Sequence, residues 1–276
     1  MPLAALPRDD DALLARTGID PLPPAREGLF RNGGWLRRIH AESALILGGG
    51  RALLLEVAHP LVAAGVAEHS SFRTDPFGRL QRTLAAMHAI AFGDRAAALA
   101  AARSVERAHA RVRGALAADA GRYAAGTPYD GREVDLMIWV WATLVDTAVC
   151  GYEGFVEPLS PEARDGYYAE QCAIARLLGA PPEALPRDYA AFRAWFDGCV
   201  EGDTLFVTPV AREIADAVLT PPPGLADAAQ VRLITAALLP ERLRDAFGLC
   251  FEPKQRARFD SLVRSVRSLR AERASA

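Results

Sequence analysis

Hydrophobic residues recur every three or four positions along most of the chain, a spacing that gathers them on one face of an α-helix. The stretch DPFGRLQRTLAAMHAI (75–90) is typical. Asp75 offers a side-chain acceptor and Pro76 suits the first helical position, so a helix is predicted over 76–92, ending at Gly93. Its apolar positions are Leu80, Leu84, Met87 and Ala91.

The same periodicity predicts helices along the rest of the chain. They lie at about 35–47, 51–58, 94–117, 131–157, 161–178, 187–200, 209–219, 226–237, 239–248 and 253–273. Gly48-Gly49-Gly50 is predicted to end the first of these, and Ser160-Pro161 is a start signal. Only LFVTPV (205–210) approaches the alternation of a strand.

Residues 1–30, which include DPLPP, predict an irregular N-terminal arm. Residues 31–276 predict one domain, because no internal repeat or long linker divides them. The predicted fold class is all-α, a single globular domain of many helices. Hydrophobic residues make up 51% and charged residues 24% of the chain, which suits a large core. The net charge of −2 gives no reason to expect a nucleic-acid partner.

The sequence predicts neither an integral membrane segment nor a secretory signal, so a cytoplasmic protein is expected. The most apolar window, VDLMIWVWATLVDTAVC (134–150), contains Asp135 and Asp146. The first residues lack a basic region followed by an apolar one. The last predicted helix has one apolar and one basic face, which favours a docked surface helix over one that binds a membrane or a partner.

Several familiar catalytic motifs are absent from the sequence. GGGRAL is not followed by the Lys-Ser/Thr of a phosphate-binding loop, and neither HExxH nor GxSxG occurs. The four cysteines lie far apart and read as reduced core thiols rather than as disulfides or a zinc site. The five histidines are therefore the informative residues.

His109 is the most telling histidine. In SVERAHARVRGAL, Val105, His109, Val112 and Leu116 are spaced by four, three and four residues, which places the imidazole on a buried stripe. A core histidine with satisfied hydrogen bonds and a metal ligand both fit that pattern.

His59 and His69 flank Pro60 in LLLEVAHPLVAAGVAEHSSF. The two histidines could line a pocket, or His59 could cap the helix that follows a kink, since a residue before proline is biased away from helical geometry. His40 and His88 have no supporting pattern.

Two Glu-x-x-His pairs, Glu56/His59 and Glu106/His109, suggest a di-metal carboxylate site as an alternative. Such a site needs one further carboxylate from each of two other helices, for which Glu153 and Glu170 are available. The neighbouring arginines indicate instead that Glu106 is ion-paired at the surface.

Arg79, Arg82 and Thr83 lie beside the buried face of the helix at 76–92, and Arg79 and Thr83 share one side. Surface ion pairs for the arginines, with a backbone hydrogen bond for Thr83, would explain them without any function.

Several phrases together resemble the MpaB-type oxygenase family, which includes the latex-clearing rubber oxygenases. They are RALLLEVAHPLVAAGVAEHSSFRTDPFGRLQRTLAAMHAIAFG, HARVRG, WVWATLVDT, YYAE and LLPERLRDAFGL, in that order over roughly 30–250. The resemblance implies an all-α fold that encloses one b-type haem. It further implies that His109 binds the haem iron and that Arg79 and Thr83 line the distal, oxygen-binding side. Arg82 and His59 are further expected pocket residues.

Three departures from the family pattern bear on these expectations. Some rubber oxygenases have a lysine where this chain has Arg82, and an arginine has no lone pair with which to ligate iron. A five-coordinate or water-bound ferric state is therefore expected. Trp141 of WVWATL stands where relatives often have histidine, and Glu56 where they often have glutamine.

The sequence is therefore interpreted as that of a haem-b-dependent oxidoreductase. The resemblance implies that it uses O2 on a hydrophobic small molecule, with isoprenoid chains as the class that characterised relatives cleave. The alternatives are a non-haem di-metal enzyme, a haem-binding protein without turnover and a purely structural helical protein. The sequence leaves the oligomeric state open.

Overall fold

Helices make up most of the chain in the computed structural model, which describes residues 2–70, 76–222 and 224–275. The helices are α1 (Asp10–Ala15), α2 (Trp35–His40), α3 (Gly49–Val57), α4 (Pro60–His69), α5 (Pro76–Phe92), α6 (Arg95–His109), α7 (Val134–Phe155), α8 (Pro161–Leu177), α9 (Tyr189–Glu201), α10 (Pro209–Leu219), α11 (Ala228–Leu238), α12 (Glu241–Ala246) and α13 (Pro253–Ser275). Short 3₁₀ segments lie at Ala25–Glu27, Ser43–Gly48 and Pro182–Ala184. The predicted all-α fold class is confirmed.

The predicted long helix at 94–117 is wrong in its second half. α6 ends at His109, where the Val112 N–H donates to the His109 carbonyl at 3.0 Å and turns the chain. Two short antiparallel strands follow, β1 (Arg113–Ala115) and β2 (Pro128–Asp130), with Gly114 opposite Tyr129. The segment at 205–210 forms no strand in the described part of the chain.

The glycine triplet begins a helix rather than ending one. α3 starts at Gly49, and a Cβ atom on Gly50 would lie 2.2 Å from Thr235 Oγ1 of α11. A Cβ atom on Gly48 would lie 2.7 Å from the Thr147 methyl group of α7. These glycines are needed because α3 approaches two other helices closely, a requirement that the local sequence does not distinguish from a stop signal.

α7 is the central helix, buried at most of its positions and in contact with α2, α3, α8 and α13. It is long and apolar enough to cross a membrane, and the bent pair Ser43–Val57 and Pro60–His69 passes the same test if counted as one span. However, 67% of the most apolar window of α7 is buried inside the protein, as in a core helix.

A buried ion cluster joins α7 to three other helices. Arg51 of α3 donates to Asp146 of α7 and also to Thr147 Oγ1 at 2.7 Å. Its Nε donates to the Leu238 carbonyl of α11 at 2.8 Å, and Arg193 of α9 pairs with the other oxygen of Asp146. The side chains of Arg51 and Asp146 are only 5% and 4% exposed, so neither charge has water as a substitute partner.

The two ends of the chain differ from the sequence prediction only in detail. The predicted irregular arm contains α1, which Asp9 caps by accepting from the Ala12 N–H at 2.8 Å. α13 packs on α7 and α11 through its apolar side, although Leu269 of that side is 59% exposed. Ser160 caps α8 and Pro161 follows it, as predicted.

Replacing Gly50 with alanine should lower the free energy of unfolding by about 1–3 kcal/mol, because the new methyl group meets Thr235 Oγ1. The double variant Gly50→Ala/Thr235→Ala should recover most of that loss. The control is Gly198→Ala in α9, where the added methyl group has no neighbour within 4 Å. Urea unfolding curves measure all three, and equal effects at Gly50 and Gly198 would contradict the close approach.

Replacing Asp146 with alanine should cost about 3–5 kcal/mol, since it leaves the Arg51 guanidinium buried without its carboxylate. The matched control is Asp203→Ala, which breaks the exposed pair with Arg122 (3.1 Å) and should cost under about 1 kcal/mol. Comparable losses in the two variants, measured by thermal and urea unfolding, would rule out a structural role for the buried cluster.

Candidate active site

His109 is the last residue of α6 and is half-buried, with its Nδ1 atom out of contact with solvent. The predicted stripe holds only for Val105 and His109, because the helix ends before Val112 and Leu116. Leu116 is buried, but in a separate small apolar cluster with Leu61 and Tyr129.

A small cavity of about 10 Å³ lies beside the imidazole, enough for one water molecule. Its lining is mostly apolar and comes from five parts of the chain: α6, the turn before α7, α7 itself, the end of α8 and the N-terminal arm. The lining residues are Leu3, Ala4, Val105, Glu106, His109, Arg132, Met137 and Leu178. The sequence therefore brings one imidazole, one carboxylate and one guanidinium to a largely hydrocarbon surface.

Arg132 is held in place by Asp130 at the end of β2. Its Nε and Nη2 donate to the two Asp130 oxygens at 3.3 Å each, and Arg113 pairs with the same carboxylate at 2.9 Å. Burial raises the pKa of Asp130, but hydrogen bonds and charge from Arg132, with the charge of Arg113, outweigh that and lower it below its ordinary value. The carboxylate stays ionised, and one guanidinium is fixed beside the cavity.

The predicted distal residues lie at the same end of a helix pair as His109. α5 and α6 pack together and are joined by the short turn Gly93-Asp94, so they run antiparallel. Arg79 is 14 residues before Gly93 and His109 is 15 residues after Asp94, so the two residues lie a similar number of helical turns from the connection.

The side chains of this part of α5 differ in exposure. Thr83 is half-buried and Arg82 is exposed, while the side chain of Arg79 and the predicted cap Asp75 lie outside the described residues. Met87 and Ala91 face the core as predicted, but Leu84 is 43% exposed. Leu84, which follows Thr83 in α5, therefore presents apolar surface to solvent.

His59 is a helix cap. Its Nδ1 accepts from the Leu61 N–H at 3.3 Å at the start of α4, and its Nε2 lies 3.1 Å from the Tyr123 hydroxyl. Burial, aided by the charge of Arg122, lowers the pKa of His59 to about 4, so the ring is neutral and its one proton is on Nε2. The cap interpretation is confirmed, and His59 does not line the cavity beside His109.

The carboxylates proposed for a di-metal site do not converge. Glu153 pairs with Arg164 at 2.6 Å, and Glu170 accepts from the Leu36 N–H at 2.5 Å, so it caps α2. Within residues 2–70, 76–222 and 224–275, no group of three or more His, Cys, Asp or Glu side chains could hold a metal ion. The two Glu-x-x-His pairs therefore do not assemble a carboxylate-bridged centre there.

A polar network next to Trp141, formed by His40, Tyr167 and Gln171, was not predicted from the sequence. His40 Nε2 lies 3.0 Å from the Tyr167 hydroxyl, and the Gln171 side-chain amide donates to that hydroxyl at 2.7 Å. The Trp141 indole donates to the Gln171 carbonyl at 3.1 Å, and its ring packs against Tyr168. Burial lowers the pKa of His40 to about 4. Trp141 is therefore a packed core residue.

The profile of the family described as ER-bound oxygenase mpaB/B'/Rubber oxygenase, catalytic domain, matches residues 36–268. The chain belongs to the MpaB/rubber oxygenase family. The match runs from α2 into α13 and includes every predicted site residue, but it leaves the N-terminal arm outside. No curated protein and no solved structure matches the chain. Membership makes the protein an enzyme of the oxygenase class.

Arg132, Met137 and Leu178 surround His109 in this oxygenase but were not predicted to do so. Each lies far from His109 along the chain or beyond a turn, so only the tertiary packing brings them together. The apolar face of α7 was the one signal available, and it marks Met137 simply as a core residue.

Replacing His59 with asparagine should keep the cap and remove the titration, since an asparagine side chain also accepts from a helix N-terminal N–H. The folded-state pKa of His59 lies below its ordinary value of 6.5, so the unfolded state binds more protons between about pH 6.5 and 4. The free energy of unfolding of the wild-type protein should thus fall as the pH is lowered through that range. In His59→Asn this fall should be smaller by up to about 3 kcal/mol. Urea unfolding from pH 7 to 4 measures the difference, and parallel curves would refute it.

Proposed function

We propose that this oxygenase holds a b-type haem through His109 and uses O2 to oxidise a hydrophobic small molecule, with isoprenoid chains as the favoured class. The observation that carries the proposal is the position of His109. Its ring is half-buried against apolar side chains, at the end of the α5–α6 pair that also carries Arg79, Arg82 and Thr83.

The chemistry of these residues fits a haem. Imidazole is a common axial ligand of haem iron, and a buried Nδ1 atom in hydrocarbon surroundings suits a cofactor that is itself mostly apolar. Arg132, fixed by Asp130, would be a partner for a carboxylate at the edge of such a group. The cavity of about 10 Å³ is much smaller than the roughly 300–1,000 Å³ of ordinary cofactor sites, so part of its wall has to move.

The roles of the chain's own residues follow from their chemistry. A bound haem would supply the iron that activates O2. His109 would hold it, and the guanidinium of Arg79 and the hydroxyl of Thr83 would donate hydrogen bonds where negative charge develops on oxygen. The guanidinium of Arg82 has no lone pair to offer and so does not ligate iron. Apolar neighbours such as Val105 and Met137 would exclude water and seat a hydrophobic substrate.

Protein produced with a haem precursor should show a Soret band that His109→Ala loses. The matched control is His88→Ala, which removes an exposed histidine of α5 near the opposite end of the helix pair and should keep the band. A Soret band unchanged in His109→Ala would remove the axial assignment.

The distal role is tested separately with Arg79→Ala and Thr83→Ala. Each should keep the Soret band but lower the rate of oxygen consumption with an isoprenoid such as squalene by about 10²-fold, the typical cost of one lost oxyanion donor. Full activity in both variants would exclude that role. A Soret band without oxygen consumption in the wild-type protein would indicate haem binding without turnover on this substrate.

A further inference from the structure

The first residues of the described chain lie across the cavity that contains His109. Leu3 and Ala4 form part of its wall, and the Leu3 N–H donates to the Arg132 carbonyl at 2.7 Å. Pro2 forms an isolated antiparallel bridge with Glu133, the residue that precedes α7. We call residues 2–12 the strap.

Arg103 of α6 makes polar contacts with the strap. Arg103 Nη2 lies 2.7 Å from Asp10 Oδ1 and donates to the Arg8 carbonyl at 2.9 Å. Arg103 is six residues before His109 on the same helix. The strap is therefore held at one end by the turn before α7 and at the other by the helix that carries the candidate ligand. Between them, the half-buried Leu6 packs against the main core beside Gly179.

We propose that the strap is a movable cover that must leave the His109 cavity before a large, flat apolar cofactor can reach the imidazole. The inference rests on the proposed function for the identity of that cofactor. The movement of the strap is independent of the proposed function, because it concerns only access to His109.

Burial shows that the strap can be released without unfolding the domain. None of residues 2–12 is fully buried, whereas Leu13 and Leu14 directly after them are 0% and 6% exposed and lie in the main core. The side chains of the Arg103–Asp10 pair are 26% and 63% exposed, so solvent weakens that pair. A segment whose apolar side chains are at most half-buried opens at low free energy, and the buried Leu13 and Leu14 anchor the chain that follows it.

The rest of the cavity wall is less free to move. Val105 lies on α6, which packs against α5 and the 3₁₀ segment Ala25–Glu27. Met137 lies on α7, which packs against several helices, and Leu178 directly follows α8. The family match begins at residue 36 and so does not include the strap. Removal of Leu3 and Ala4 is therefore the simplest way to enlarge a cavity of about 10 Å³.

A reversible cross-link tests the proposal. Pro2→Cys and Glu133→Cys replace two residues paired across an antiparallel bridge, where Cα atoms are about 4.5–5.5 Å apart, within disulfide range. Cys250→Ser removes the exposed thiol from the background. Two rates are measured on haem-free protein, oxidised and reduced: acylation of His109 by diethyl pyrocarbonate, followed by mass spectrometry, and growth of the Soret band after hemin is added.

The oxidised protein should react at His109 and take up hemin at least about tenfold more slowly than the reduced protein. Acylation of the exposed His88 is the internal reference and should not change. The Cys250→Ser background should give the same rates under both conditions. Equal His109 acylation rates in the oxidised and reduced forms would contradict the proposal that the strap covers His109. If His109 reacts in the reduced protein but no hemin is taken up, the strap proposal holds and the haem in the proposed function is refuted.

The fastening is tested with Asp10→Asn, which removes the charge that pairs with Arg103. It should speed both His109 acylation and hemin uptake about two- to fivefold, the range expected for an exposed ion pair. Asp11→Asn is the matched control because it removes the same charge from the neighbouring residue of α1. Equal rates in the two variants would show that the Arg103–Asp10 ion pair does not hold the strap closed.

Discussion

The burial of the Arg51–Asp146 ion pair constrains how four helices meet. A buried guanidinium and a buried carboxylate must satisfy each other, so α3 and α7 have one relative position in which both charges are paired. Arg193 and the Leu238 carbonyl add α9 and α11 to the same cluster. Gly48 and Gly50 permit the contact, since larger residues would hold α3 away from α7 and α11. The position of α7 follows from this cluster.

The site depends on that position. α7 carries Met137 and is preceded by Arg132, and both line the cavity with His109. His109 reaches them because α6 ends there and the short β1–β2 hairpin returns the chain toward α7. Glu170 caps α2 and His59 caps α4, so these two candidates from the sequence have structural tasks. His109, its cavity neighbours Glu106 and Arg132, and the start of α5 remain for chemistry.

The sequence predicted the helices well because periodicity and caps are local signals. Ser160-Pro161 and the apolar spacing of α5 needed no knowledge of the rest of the fold. The end of α6 was missed because Val112 and Leu116 continue the helical spacing after the chain has turned. The histidine ligand was suggested by a family resemblance, but its neighbours Leu3, Arg132 and Leu178 meet it only through tertiary packing. No pattern within one element reports such a contact.

The central claim is that His109 binds a haem in a cavity that the strap closes. A crystal structure of the hemin-reconstituted protein tests it most directly. The account predicts a porphyrin whose iron is bonded to a ring nitrogen of His109. Leu3 and Ala4 should be displaced from their present positions in the cavity wall. A His109 side chain still packed against Leu3 and Ala4, with the haem bound elsewhere or not at all, would contradict it.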